Sequence, residues 1–270
     1  MAPVSWLFQP VPVARIAILR VVAYLFVPVD VLLTTPWVAR HGSVPGELYQ
    51  PLLIGRLLHP PTPGGWVPWL EVVLVAAALA AATGRLPRAL GLLVAGLYLE
   101  WMVIAFSYGK VDHDRFAFLV LLAVLPTVGK RSEEAAGWAI SMITLAVVAT
   151  YFLSALAKLR FGGLGWVDGA TLTRAVVRRG TWLSSPLLHR TVVLHAFQYV
   201  LISVELFVSP LLLLRNRLTP LLVSGFYLFH LMTFLTISIV FLPHCVALLA
   251  LLPLERMPVR RLPARAAVPA

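Results

Sequence analysis

The sequence predicts an all-α protein, built as a polytopic bundle of transmembrane helices, and three observations lead to this fold class. Of the 270 residues, 60% are hydrophobic and only 12% are charged, whereas soluble domains average about half apolar and about a quarter charged. The mean hydropathy is +0.90. Apolar stretches recur along the chain, and several reach the roughly 20 residues that a helix needs to cross a bilayer. We therefore expect a multi-pass protein of the cell membrane, surrounded by the lipid bilayer.

The apolar stretches, taken in order, predict about eight spans, within a range of seven to nine. They cover residues 14–34, 68–83, 89–108, 116–128, 137–159, 191–214, 219–242 and 244–254. Two of them, 116–128 and 244–254, are short for a span, so either could be a broken or re-entrant helix packed against protein. We expect one transmembrane domain over residues 1–255 and a basic cytoplasmic tail over 256–270.

The basic residues indicate an orientation rather than a nucleic-acid partner. The formal net charge is +11, but the Lys and Arg residues flank apolar stretches, as they do where they orient helices against the cytoplasmic surface. With the N-terminus inside, the short loops on that side contain Arg85, Arg88, Lys130, Arg131, Arg215 and Arg217. Cytoplasmic termini are therefore predicted and nucleic-acid binding is excluded. The single cysteine, Cys245, excludes an intrachain disulfide.

Two segments interrupt the predicted spans. Residues 35–67 are rich in Pro and Gly, which argues against a continuous helix. Residues 160–190 open with glycines and then offer an amphipathic helix near 167–179, a pattern typical of a helix that lies in the membrane interface. Both segments fall on the predicted non-cytoplasmic face. A functional site is expected to open there.

Charged residues inside apolar spans are costly and so invite a functional interpretation. Arg20, Glu100, Lys158 and Glu205 are the clearest cases. The alternative for three of them is a structural ion pair, for example Arg20 with Glu100 or Glu205. Lys158 lies near the end of its span, where it could extend to the headgroups. Glycines follow it within a few residues and allow a turn that faces the amine into a cavity, where removal from water would favour the neutral, basic form.

Histidines near the predicted spans are further candidates. His113 follows Asp112 in "YGKVDHDRF", three residues before an apolar helix, so it could act as an acid, base or hydrogen-bond donor; a solvated loop is the alternative. His195 and His230 lie inside apolar spans, where a hydrogen-bonded core histidine is the alternative. None of the histidines has HxH or HExxH spacing, so no metal is predicted.

Several segments, in order and spacing, resemble one known family. They are "RIAILRVVAYLFVPVD", "DHDRFAFLVLLAVL", "YFLSALAKLRFGGLGWVDGATL", "RRGTWLSSP" and "FHLMTFLTISIVFLPHCVALL". Together they resemble vitamin K-dependent gamma-carboxylases and their bacterial relatives with an HTTM domain, in which a Tyr-rich helix ends in a Lys-Leu step followed by Trp-x-x-Gly. The resemblance extends from about residue 14 to residue 254.

The resemblance implies chemistry for particular residues. The family's base, which deprotonates vitamin K hydroquinone, corresponds to Lys158, and its catalytic histidine corresponds to His113. Asp112 stands where the family has asparagine. The quinone-binding residues implied beside these are Asp112, Trp166, Arg179, His195 and His230. The cosubstrates implied are a reduced naphthoquinone (vitamin K or menaquinone hydroquinone), O2 and CO2. Oxygenation of the quinol would yield a base strong enough to remove an unactivated proton, and CO2 would trap the carbanion.

Three classes of function remain open from the sequence. The first is an enzyme that oxidises a reduced quinone and carboxylates an acceptor, such as a small secreted peptide or protein. The second is a non-catalytic membrane subunit for the maturation or export of a peptide or toxin; the family's large propeptide-binding extramembrane domain has no counterpart before Ala270, which favours this class. The third is a transporter, which no visible inverted repeat supports.

Overall fold

The computed structural model describes residues 3–58, 61–109, 111–129 and 132–256, and every regular element in these ranges is helical. The predicted all-α fold class is confirmed for these residues. The predicted tail lies outside the described residues from position 257 onward, as do Lys110, Lys130 and Arg131. The α-helices are α1 (Pro3–Leu7), α2 (Val13–Val29), α3 (Leu53–Leu58), α4 (Val67–Ala82), α5 (Ala89–Phe106), α6 (Phe116–Val124), α7 (Glu133–Gly162), α8 (Gly165–Asp168), α9 (Thr171–Arg179), α10 (Thr191–Ser203), α11 (Thr219–Ile237) and α12 (Leu242–Leu248).

Five helical segments of the described chain are long and apolar enough to cross a membrane. They are Val13–Thr34, Ala89–Phe106, Glu133–Gly162, Thr191–Leu214 and Thr219–Ile237. Val67–Ala82 and Leu242–Leu251 are apolar but shorter, and α6 has nine residues before a short 3-10 turn at Leu125–Thr127. Proline at position 126 ends α6, because it has no N–H to donate to the helix.

Hydrogen bonds tie the helix ends into two layers at opposite ends of the bundle. At one end, the Val11 N–H donates to the Glu133 carbonyl and the Arg15 guanidinium pairs with Glu255 at 2.7 Å. At the other end, the Gln50 N–H donates to the Ser107 carbonyl and the Thr181 N–H donates to the Thr236 carbonyl. The long loops 35–66 and 163–190 therefore belong to the same end as the irregular segment between α11 and α12.

Two spans contain a widened, π-helical turn, and each turn carries a buried carboxylate. The first, Asp30–Thr34, continues α2 just after Pro28; the second, Val204–Val208, continues α10 just before Pro210. A proline removes a backbone donor and its ring clashes with the preceding turn, which breaks regular helix geometry. Such turns are frequent at functional sites. Asp30 and Glu205 are both buried.

The main core is formed by α2, α4, α5, α6, α7 and α12. Its largest fully buried side chains include Trp101, Tyr24, Tyr98 and Phe118. In α7, the central helix, 61% of the residues in its apolar 18-residue stretch are buried. The corresponding fractions are 28% in Thr191–Leu214 and 17% in Thr219–Ile237. The last two spans thus present most of their apolar surface outward, to the region that lipid would occupy.

The suggested ion pairs of Arg20 with Glu100 or Glu205 do not occur. The Arg20 guanidinium donates to the carbonyls of Leu125 and Val128, both at 2.6 Å, and so caps the end of α6 and its 3-10 turn. Oε1 of Glu100 is buried without a hydrogen-bond partner in the described part of the chain. Glu205 pairs instead with Lys158, because the fold brings α7 against the π-helical turn that follows α10.

The segment predicted as one interfacial helix near 167–179 is two helices. α8 ends at Asp168, and α9 begins at Thr171. Within α9, Val176 is buried while Arg178 and Arg179, in its last turn, are exposed. The amphipathic character that the sequence predicts is therefore present, on a shorter helix.

Candidate functional site

The site is built around the end of α7. This helix begins at a Ser132 cap, whose hydroxyl accepts the Ala135 N–H at 3.1 Å, and it runs for 30 residues, or about 45 Å. Gly163, which follows it, has a φ of 59°. A side chain disfavours this backbone conformation, so glycine is the residue that lets the chain turn here. The turn leads directly into α8 and brings Trp166 back over the helix end.

Lys158 lies one turn before this break and forms an ion pair with Glu205. Its Nζ donates to both carboxylate oxygens, at 2.6 Å to Oε1 and 2.5 Å to Oε2. The side chains are 24% and 7% exposed. Nζ also lies 5.4 Å from the centre of the Trp166 ring, on which a cation is favoured. The amine is therefore paired with Glu205 and mostly covered by protein.

The pair faces an internal cavity of about 270 Å³, which we call the Lys158 cavity. Seven titratable side chains line it, from α7, the π-helical turn after α10, α11, α12 and the 3-10 turn at 113–115: His113, Asp114, Tyr151, Lys158, Glu205, His230 and His244. Much of the remaining wall is apolar or aromatic, including Leu201, Phe229, Ile237 and Phe241. The cavity therefore combines ionisable groups with a mainly apolar wall.

Aromatic rings form one side of the cavity. A hydrogen bond of 2.6 Å joins the Tyr151 hydroxyl and Nε2 of His230. The Tyr151 ring stacks on Phe226 with centroids 4.4 Å apart and meets the edge of His244 at 4.6 Å. Both ring nitrogens of His244 are buried without a partner among the residues that the structure describes. A buried imidazole normally satisfies at least one nitrogen, so a ligand or water is expected to bind here.

Gln198 fixes the outer wall of the cavity. From α10, its side-chain amide donates to the carbonyls of Val167 at 2.6 Å and Gly169 at 3.0 Å, and its oxygen accepts the Leu172 N–H at 2.6 Å. It is almost fully buried. One side chain thus binds the end of α8 and the start of α9, and it holds Trp166 and Leu172 at the cavity.

A second, more polar cavity of about 650 Å³ lies beside the first, and we call it the outer vestibule. His113, Asp114, Ile239 and Phe241 line both, so they form the shared wall. Asp112, Arg115 and Arg179 line the vestibule only. The wall includes the non-helical segment between α11 and α12. Irregular backbone at membrane depth is tolerated where it borders a cavity rather than lipid.

Below the vestibule, a buried network anchors the turn that carries His113. The Arg115 guanidinium donates to Asp30 Oδ1 and to the Thr34 hydroxyl, both at 3.1 Å, and the Tyr98 hydroxyl donates to Asp30 Oδ2 at 2.7 Å. Asp30 is fully buried. Arg115 also lies 3.3 Å from Asp112 and 3.5 Å from Asp114. The network fixes the backbone of residues 112–115 against α2 and α5.

Neighbouring groups and burial shift the pKa of Asp114 and of His113, the two titratable residues of the shared wall. Burial raises the pKa of Asp114 to about 6; the charges of Asp112 and Asp30 add to the rise, and Arg115 opposes it. Burial also lowers the pKa of His113, and the positive charge of Lys158 lowers it further, while Asp112 opposes the shift. Near neutral pH, His113 is therefore favoured in its neutral form, able to donate and accept one hydrogen bond each.

The structure brings some of the predicted site residues together and separates others. Lys158, His113, Trp166 and His230 all line the Lys158 cavity. Asp112 and Arg179 line the outer vestibule. His195 lines neither; its ring stacks on Tyr199 with centroids 5.4 Å apart.

Sequence reasoning did not assign Glu205, Asp114, His244, Tyr151 or Gln198 to the site. A lone acid inside an apolar span was the signal for Glu205, but its partner was not identifiable. His244 and His230 come from different helices and meet with ring centroids 5.6 Å apart. No spacing rule connects them, because the fold alone sets that distance. Among the described residues, no group of three or more His, Cys, Asp or Glu side chains is placed to hold a metal ion.

The fold and the site define a class: a helical membrane protein with a mainly apolar cavity that contains a lysine–glutamate ion pair and imidazole nitrogens without a partner among the described residues. No protein-family model, curated protein or solved structure matches the chain. What this cavity does must therefore be argued from its own chemistry.

Proposed function

We propose that the chain is a membrane enzyme of the vitamin K-dependent gamma-carboxylase type, with the Lys158–Glu205 pair as its base. The net reaction would convert a reduced naphthoquinone and O2 to the quinone epoxide and water, coupled to removal of a proton from an acceptor and addition of CO2 to it. The observation that carries the proposal is the pair itself, 2.5–2.6 Å between nitrogen and oxygens, at the wall of an apolar cavity. Such a cavity keeps water from a strong base.

The shape and donor set of the Lys158 cavity suit an aromatic quinol. Tyr151, Phe229, His230 and Phe241 supply ring surfaces, against which a planar bicyclic ring can stack. The two unpartnered nitrogens of His244 and the unpartnered Oδ2 of Asp114 supply hydrogen-bonding atoms for hydroxyl or carbonyl groups. A naphthoquinol has apolar faces and two oxygens at opposite edges, so it matches this combination. When bound, it would supply the redox chemistry that no side chain of the cavity provides.

The pair has capacity for one proton. As ammonium and carboxylate, or equivalently as amine and carboxylic acid, it is neutral overall. In the second form, the Lys158 amine would accept a proton from a quinol hydroxyl, and the pair would become ammonium and carboxylic acid, with one positive charge. That positive charge would stabilise a negative charge that develops on a group beside the pair. This refines the expectation of a free lysine base: Lys158 and Glu205 would act as one unit.

His113 is proposed to stabilise the developing anion. It lines both the Lys158 cavity and the outer vestibule, so a donor on its ring is available to either space. The acceptor, a small secreted peptide or protein in this proposal, would enter through the outer vestibule, where Arg179 offers a positive charge.

Ligand binding tests the proposal directly. We expect the purified protein to retain a naphthoquinone and an added naphthoquinone to quench Trp166 fluorescence, because the Trp166 ring lines the cavity. Trp166 is one of eight tryptophans, so the measurement compares the wild type with Trp166→Phe. A protein with no bound quinone and no quenching that depends on Trp166 would favour the non-catalytic subunit for peptide maturation or export.

We further propose an eight-span topology with cytoplasmic termini and a vestibule that opens on the opposite face. The basic short loops and the two hydrogen-bonded end layers support it. In a Cys245→Ser background, an impermeant thiol reagent added to intact cells should label Ser43→Cys and Leu164→Cys, both exposed at the vestibule end, and should leave Glu134→Cys unlabelled. Labelling of Glu134→Cys alone would show that the protein has the opposite orientation in the membrane.

A further inference from the structure

A groove of about 310 Å³ runs between α10 and α11. Its lining is apolar apart from two threonines, Thr233 and Thr236, and it includes Gly225. Phe197 and Val200 on α10 and Leu228 on α11 line it and are exposed. These side chains lie on the two spans with the smallest buried fraction. The α10–α11 groove therefore opens sideways, toward the hydrocarbon of the bilayer.

The α10–α11 groove adjoins the Lys158 cavity. Five residues line both spaces: Leu172, Leu201, Phe229, Thr233 and Ile237. None of the shared residues carries a charge, and all the ionisable groups lie on the cavity side. The two adjoining spaces together thus have a polar, ionisable inner end and an apolar outer end.

The gap between the two spans has a structural cause. Both spans pack on the short helix α9, whose Val176 is buried and also lines the groove. A Cβ added at Gly225 would meet no atom within 4 Å. Protein interiors are close-packed, so an apolar gap of this size needs an occupant. In a bilayer the available occupant is a hydrocarbon chain.

We propose that the α10–α11 groove holds the hydrocarbon chain of the amphiphile whose ring lies in the Lys158 cavity, so that the ligand enters sideways from the bilayer. The inference rests on the proposed function, which makes that amphiphile a prenylated naphthoquinol. The chain would lie between α10 and α11 and pass the shared residues Leu201 and Phe229. Because the surrounding lipid is as apolar as the groove, the chain gains little affinity there. The groove instead gives the hydrocarbon chain a path out of the Lys158 cavity. Without that path, a ring that carries a chain would not fit the cavity.

This path is tested by closing it. Gly225→Phe fills the groove, and Gly96→Phe is the matched control, since Gly96 is also exposed on a spanning helix with no atom within 4 Å of an added Cβ. Binding of 2-methyl-1,4-naphthoquinone and of its analogue with a four-isoprene chain is followed in nanodiscs by the quenching that depends on Trp166. Gly225→Phe should weaken binding of the chain-bearing quinone by at least about tenfold, a loss of 1.4 kcal/mol, and leave the chainless quinone unaffected. Gly96→Phe should change neither.

A second measurement locates the hydrocarbon chain itself and does not depend on how the quinone ring affects Trp166 fluorescence. A chain-bearing quinone and a phospholipid, each with a photoreactive diazirine in its chain, are cross-linked to the protein and the labelled residues are mapped. Labelling of Phe197, Val200 or Leu228 by the quinone, lost in Gly225→Phe, supports the proposal. Labelling by the phospholipid alone overturns it and makes the groove a lipid site. If neither quinone binds the wild type, the proposed function is wrong. If both bind and Gly225→Phe changes the two affinities equally, only the assignment of the groove is wrong.

Discussion

Replacing Lys158 by methionine or by arginine is expected to remove oxygen-dependent quinone epoxidation while the protein still folds and inserts. Methionine has no basic nitrogen, and arginine stays protonated at any accessible pH. Losing a general base typically lowers the rate by a factor of about 10² to 10⁴, or roughly 3 to 5 kcal/mol. Epoxide formation from reduced naphthoquinone, with O2 and CO2 supplied, is the measurement.

The ion pair makes the two variants informative in different ways. Lys158→Met leaves the Glu205 carboxylate, 7% exposed, without its partner, and an unpaired buried charge is destabilising. Lys158→Arg keeps a positive charge beside Glu205, so it separates loss of the base from loss of the pair. Arg160→Met, two residues along the same helix and exposed, is the matched control and should retain activity. Glu205→Gln should lose activity if the two residues act as a unit.

Two outcomes would contradict this assignment. Full activity of Lys158→Arg would remove Lys158 from the base role and leave the Glu205 carboxylate as the basic group. A wild-type protein that forms no epoxide under these conditions would remove the main support for the enzyme, and the variants would then bear only on stability. His113→Ala should reduce turnover and preserve quinone binding, since its proposed role is with the developing anion.

The second large effect is expected on stability, in the network around Asp30. Arg115→Met should lower the free energy of unfolding by about 3–5 kcal/mol, because it leaves a fully buried carboxylate without its cation. The double variant Arg115→Met with Asp30→Asn should be more stable than Arg115→Met alone, since the uncompensated charge is then absent. Unfolding by a denaturing detergent, followed by circular dichroism, measures both.

A third ion pair between distant segments provides a comparison. Arg15 and Glu255 lie 2.7 Å apart at the opposite end of the bundle, with side chains 15% and 14% exposed. Arg15→Met should lower the stability by less than Arg115→Met, because the Glu255 carboxylate keeps some contact with solvent whereas Asp30 has none. Equal losses in Arg15→Met and Arg115→Met would show that burial of Asp30 does not determine the energy of its network.

The interior charges show where sequence reasoning stops. Charge inside an apolar span is visible in the sequence, so Arg20, Glu100, Lys158 and Glu205 could be selected. Their partners could not, because a pair such as Lys158 and Glu205 is separated by 47 positions and is brought together only by helix packing. Arg20 pairs with no acid in the described structure and caps carbonyls instead. The sequence thus shows which charged residues need a partner, and the packing of the helices determines which groups they contact.

The sequence by itself determined the helical membrane class, the approximate positions of the apolar spans, and the importance of the break after Lys158, where glycines follow an apolar helix. These features are local, since hydropathy and glycine conformation depend on a few neighbouring residues. Only the tertiary structure decided that Lys158 faces Glu205, that His230 and His244 share a cavity, that His195 lies outside it, and that this cavity adjoins a groove between two spans. Cavities are bounded by residues distant along the chain, and their existence depends on how helices pack and where the packing leaves space.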